Sequence, residues 1–274
     1  MFEKILIASE LNVNMKKVIE PLEGLKILGT KTCLILQCIK PQELNTDYKD
    51  MVVGWYHETL NNERLILENM GFQVDSHMGE GILKHEINEI AKNEEVSLIV
   101  VGSEATTALG EVIWGGAAHE IIHHLVKPVL QIRVDPSISL PKPIGLLDHL
   151  LFPTDFSESA NLAFETLLDM ATHDIRTVTL AHVSDFEEKV PLAKEILQGM
   201  KEKLVNKGVT NVRTVVGVGN PTKELLTIIK LEEISLVVMS TQGHGLIEEL
   251  FLGSVSHNVA RHSQASVLLI PARL

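Results

Sequence analysis

The residues best placed to do chemistry lie in Ser240-Thr241-Gln242-Gly243-His244-Gly245, followed further on by Gly253-Ser254-Val255. Two glycines in six positions allow backbone conformations closed to other residues. The segment starts directly after the apolar run Leu236-Val237-Val238-Met239 and precedes a short helical pattern that begins at Gly253. A strand, a glycine loop and a helix N-terminus together hold a phosphate on backbone N–H groups and on the positive end of the helix dipole. Gly243 would allow close approach of the backbone, Gly253, Ser254 and Val255 would offer N–H groups, and the Ser254 hydroxyl would add a donor. The alternative is a tight turn in which glycine serves shape alone.

A second candidate is Thr154-Asp155, after Leu151-Phe152-Pro153. A carboxylate at a strand end accepts both hydroxyl hydrogens of a ribose, although aspartate there also caps a following helix. In open α/β sheets, ligands sit beyond the carboxyl ends of the strands. Thr154-Asp155, His182-Val183 and the glycine loop should therefore meet at one place.

The elements that must position these residues read as strands alternating with helices, and the chain contains the pattern twice. Ser97-Leu98-Ile99-Val100-Val101 falls on Ser235-Leu236-Val237-Val238-Met239 at an offset of 138, and Gly79, Gly81 and Gly115 fall on Gly217, Gly219 and Gly253. Near the start the offset is 145, with Ile5 to Glu10 on Leu150 to Asp155. Agreement this long reads as a duplication. The expected domains are residues 1–135 and 147–274, joined by a linker at 136–146 with prolines at 136, 141 and 143. The first copy should place strands at 4–8, 32–36, 72–77, 97–101 and 129–134, with helices at 13–28 (Asn12 capping), 48–70, 82–92 and 116–125. The second should place strands at 149–152, 177–183, 212–216, 235–239 and 267–270, with helices at 157–171, 187–207, 221–231 and 254–262. Such alternation implies right-handed crossovers and parallel pairing. The expected fold is α/β, two tandem Rossmann-like or flavodoxin-like domains, each a five-stranded parallel sheet with helices on both faces.

From Ser240 the spacing reads S-x2-G-x9-G-S. The chain thus resembles the universal stress protein family, whose ATP-binding members carry G-x2-G-x9-G-[S/T] between the fourth strand and the last helix. Ser240 stands where the first glycine would be. Gly217-Val218-Gly219-Asn220-Pro221 is similar to the family's G-x-P turn. The resemblance covers nearly the whole chain and is strongest over the second copy. It implies that Asp155 contacts the sugar or base end of a nucleotide and that the Val183 backbone meets adenine. It also implies ATP or AMP with Mg2+ as ligand, and pairing of the last strands, 129–134 and 267–270, as a pseudo-dimer able to dimerise again. The first copy departs from the pattern, reading Gly102-x2-Ala105-x9-Gly115-Gly116, with Glu10 in place of Asp155. Its expected role is structural.

Composition bounds the rest. Of 274 residues, 45% are apolar and 22% charged, and the net charge of −12 disfavours nucleic acid and anionic membranes. No apolar run approaches the ~18 residues of a membrane span, and the two cysteines, Cys33 and Cys38, suit packing in a reducing compartment. A cytoplasmic location is expected. Glu248 and Glu249 should face away from any phosphate, and His244, His257 and Arg261 read as surface positions. His119, His123 and His124 have no completing ligand for zinc, Trp114 reads as packing, and no G-x4-G-K-[ST] is present. Three functions stay open: an adenine-nucleotide-binding regulatory protein, a slow ATPase or phosphotransferase with Ser254 or Ser240 as acceptor, and a scaffold or binder of another small ligand.

Overall fold

The computed structural model describes residues 1–10, 13–39, 41–44, 47–81, 83–104, 127–134, 145–243 and 252–272. Expectations for Asn12, Ala105, Trp114, Gly115, Gly116, the three histidines 119, 123 and 124, the linker prolines, His244, Gly245, Glu248 and Glu249 fall outside them.

The first half places β1 (Lys4–Ser9), α1 (Met15–Ile19), a 3-10 helix (Glu20–Leu28), β2 (Thr32–Ile39), α2 (Pro41–Leu44) and α3 (Lys49–Asn69), then β3 (Gln73–Glu80), α4 (Leu83–Asn93), β4 (Leu98–Glu104) and β5 (Val129–Val134). The second half repeats this as β6 (Leu150–Pro153), α5 (Glu158–Met170), β7 (Thr177–Ser184), α6 (Val190–Asn206), β8 (Asn211–Val218), α7 (Pro221–Leu231), β9 (Leu236–Ser240), α8 (Ser254–His262) and β10 (Ser266–Ile270). The helix expected over 13–28 is divided. Pro21 has no N–H to give the α ladder, so α1 passes into a 3-10 helix. Its cap is Asn14, whose side chain accepts from Lys17 N.

The expectation of two separate five-stranded sheets is corrected. One sheet of ten strands runs β3-β2-β1-β4-β5-β10-β9-β6-β7-β8. Pairing is parallel within each half, and antiparallel only where β5 meets β10, with Leu130 opposite Leu268. The last strands are mostly apolar on both faces and buried except at Arg133, so each needs a strand neighbour on both sides. The Gln131 amide donates to Ala260 O (3.1 Å) and Arg133 N to Ser266 Oγ (3.2 Å), tying the halves at this seam.

Alternation sorts the core to the two faces. Ile5, Ile7, Phe152, Leu180 and Val238 pack on one, Leu6, Ala8, Leu151, Val237 and Met239 on the other. In each half the strand order reverses beside the first strand, between β1 and β4 and between β6 and β9. Both are switch points where a crevice opens beyond the strand tips.

Candidate functional site

The tips of β6, β7 and β9 and the start of α8 enclose a cavity of about 680 Å³, within the ~300–1,000 Å³ of small-molecule sites. All eight residues singled out in the sequence line it: Thr154, Asp155, Val183, Ser240, Gly243, Gly253, Ser254 and Val255.

At the β6 tip, Thr154 N donates to Ala181 O (2.9 Å), and Thr154 Oγ1 accepts from Phe156 N (3.0 Å). Asp155 Oδ1 accepts from Ser157 N (3.0 Å). The helix that follows is capped by Ser157, whose Oγ accepts from Ala160 N, so the capping role does not fall to Asp155. Phe156 takes a left-handed backbone, φ +65°, which turns its ring onto His182 at 4.3 Å between centroids and 21° between planes. His182 Nδ1 lies 2.8 Å from Thr154 O. A carbonyl only accepts, so Nδ1 carries the proton.

The glycine loop is held by its carbonyls. Ser240 Oγ and Ser159 Oγ both donate to Gln242 O, at 2.5 and 2.8 Å, and Ser256 Oγ donates to Ser240 O at 2.9 Å. Gly253 N donates to Thr241 O (2.7 Å), so that amide closes the loop. Gly253 is also the cap residue of α8 and brings no side-chain acceptor to the first turn. The amides of Ser254, Val255 and Ser256 therefore start the helix at the cavity wall without a capping side chain. The lining also includes the apolar residues Val183, Leu192, Ile196, Pro221 and Leu225. Among the described lining residues Lys189 is the lysine and Asp155 and Asp185 are the carboxylates.

At the β8–α7 turn, Gly219 has φ +128° and Asn220 Oδ1 caps α7 by accepting from Lys223 N (3.0 Å), with Pro221 at the first helical position. Leu252 packs partly buried against the core beside this site. The sequence reading missed Phe156, His182 as a stacking partner, Ser159, Ser256 and Lys189. The local pattern T-D-F-S-E-S, dense in small hydroxyls around one aromatic, was the available signal.

The fold and this cavity define a duplicated, doubly wound α/β protein with a crevice at the strand tips of its second half. The universal stress protein family profile matches residues 1–133 and 147–271, and the chain belongs to that family in tandem form. Universal stress protein MJ0577 of Methanocaldococcus jannaschii is 27% identical over 151 residues, covering 44% of this chain and 93% of that protein. The crystal structure of a universal stress protein from Archaeoglobus fulgidus superposes with a TM-score of 0.82 at 23% identity, over 99% of both chains. No helix among the described residues is long and apolar enough to cross a membrane.

Proposed function

We propose that this protein is a stress-response regulatory protein that binds an adenine nucleotide, ATP or AMP, in its C-terminal half. The observation that carries the reading is the cavity itself. It pairs an apolar slot (Val183, Leu192, Ile196, Leu225), suited to a flat base, with a helix N-terminus that has no capping side chain, suited to phosphates. Asp155 lines the same cavity, its Oδ1 accepting from Ser157 N, and in this reading its carboxylate meets the ribose.

In this reading the phosphates lie against the amides of Ser254, Val255 and Ser256, and the Gln242–Gly243 loop closes over them. Thr154 and Ser240 shape the wall. Mg2+ would be held mainly by phosphate oxygens and water, the usual arrangement for that ion, since no cluster of three metal-binding side chains occurs among the described residues. The nucleotide supplies an occupancy signal, and the output is a change in the loops that a partner reads. Residues 1–135 and 147–274 act as the two folding units on either side of the linker.

The test is thermal unfolding with Mg-ATP, AMP and GTP, beside Gly243→Val. A ligand at a hundred times its Kd adds about 2.7 kcal/mol, a shift of several degrees. Adenine nucleotides should raise the Tm of the wild type and leave that of Gly243→Val unchanged. No shift at millimolar nucleotide would overturn the reading in favour of a scaffold.

A further inference from the structure

We propose that the nucleotide taken by the C-terminal half carries an apolar substituent on the exocyclic amine of its adenine, an N6-alkyl or N6-benzyl group held against α6. The proposal rests on the nucleotide reading above and goes further by naming the class of base.

The two copies of one helix locate the subsite. The helix α3 packs on β2 and β3, and α6 packs on β7 and β8. Both lead into a left-handed glycine, Gly71 (φ +89°) and Gly208 (φ +104°), with matching bonds from Phe72 N to Leu67 O and from Val209 N to Leu204 O. Counting back from those glycines sets Tyr56, Leu60, Glu63 and Leu67, the buried face of α3, on Ala193, Leu197, Met200 and Leu204, the buried face of α6. The faces coincide position by position and differ most in size at the first. Tyr56 is buried, and its hydroxyl donates to Glu43 Oε2 at 2.7 Å. Ala193 has only a methyl group, and it lines the cavity of about 680 Å³. One half packs an aromatic ring at this point of the helix, and the other leaves the point to the cavity.

Beside Ala193 the cavity wall is apolar and open to water. Leu192 and Ile196, one turn apart on α6, line it and are 62% and 37% exposed. The lining residues Ala160, Ala181, Leu225 and Met239 are buried. A single exposed leucine is ordinary, but two large apolar side chains on one wall of a cavity form a surface that an apolar ligand group would take out of water. A charged group there would lose its hydration beside these side chains without a partner in exchange.

The chain order says which end of the nucleotide reaches α6. This helix follows the tip of β7, where Val183 lines the cavity at the base end of the reading, whereas the phosphates lie at α8. A group held against α6 therefore leaves from the base. The exocyclic amine of adenine has two hydrogens, so an alkyl group in place of one still leaves an N–H to donate to a strand-tip carbonyl.

The experiment titrates the full chain calorimetrically with AMP and with N6-benzyl-AMP, whose phenyl ring matches that of Tyr56 in size. Ala193→Tyr installs the residue of the other half, and Ala193→Leu fills the same space with a smaller group, with circular dichroism to verify that each variant is folded. N6-benzyl-AMP should bind the wild type at least about tenfold more tightly than AMP. Both variants should lose that gain and keep their affinity for AMP within about twofold of the wild type. AMP binding with no gain from the benzyl group would overturn this proposal and leave the nucleotide reading standing. A gain that survives in Ala193→Tyr would overturn it as well, by placing the ring elsewhere. No binding of either nucleotide to the wild type would overturn the nucleotide reading, and this proposal with it.

Discussion

The carboxylate of Asp155 lies against the α-carbon of Gly243, so that a Cβ added at 243 would overlap Asp155 Oδ2. The β6 tip and the loop after β9 are thus fitted to each other through one hydrogen atom. Gly243→Ala should displace the carboxylate and lower Mg-ATP affinity about tenfold, a loss of about 1.4 kcal/mol. Asp155→Ala should cost a similar amount. The double variant should lose little more than either single one, because both remove the same contact. Calorimetric titration of the four proteins checks this, and additive losses would contradict it.

Ser240 departs from the family pattern at a position where its hydroxyl has acquired a partner. Its bond to Gln242 O is shared with Ser159, so one acceptor is held from two sides. Removing one donor leaves the other in place. Ser240→Gly and Ser159→Ala should each change nucleotide affinity by less than about twofold, and the pair should lower it about fivefold, near 1 kcal/mol. Competition with a fluorescent adenine nucleotide would measure all three.

Much of this architecture can be read from the residues. Leu236-Val237-Val238-Met239 and its counterparts are continuous apolar runs because strands covered on both faces have no polar side to show. Asn220-Pro221 announces a helix start through the cap and the missing N–H. The joining of the halves is less legible, since an apolar strand shows that it needs neighbours without naming them. Pro21 was visible, but the shift from α to 3-10 geometry depends on how the next turn packs. The serine clamp was hidden because hydroxyls that bind carbonyls leave no spacing rule. Glu63 was readable in part, as it shares a helical stripe with Tyr56, Leu60 and Leu67, all buried.

The cap at Asn220 gives a stability prediction that does not involve any ligand. Asn220→Ala removes the acceptor for Lys223 N and should cost about 1 kcal/mol. The Tm should fall by about 3 °C, while Asn220→Asp should stay close to the wild type. Thermal unfolding followed by circular dichroism checks both.

Glu63 should make the fold sensitive to pH. Burial raises its carboxyl from the ordinary 4.5 to about 7, against the lowering effect of the Ser9 hydrogen bond. The folded chain then keeps a proton that the unfolded chain releases near 4.5. The stability linked to this proton is full below that value and is lost as pH climbs through about 7, by an amount on the order of 3 kcal/mol. Glu63→Met should abolish that limb. Urea unfolding at about pH 5 and about pH 8 should show a difference in the wild type that largely disappears in the variant.

The antiparallel seam between β5 and β10 makes every strand of one half run against every strand of the other. The two switch points therefore face opposite ends of the sheet. In an assembly of two identical chains, each substitution would appear on both sides of such a seam. Here the sides are encoded separately, so a buried acid such as Glu63 burdens the molecule once, while Met200 keeps the matching position apolar. Fusion thus relaxes a symmetry constraint, and the halves are free to specialise while sharing one sheet.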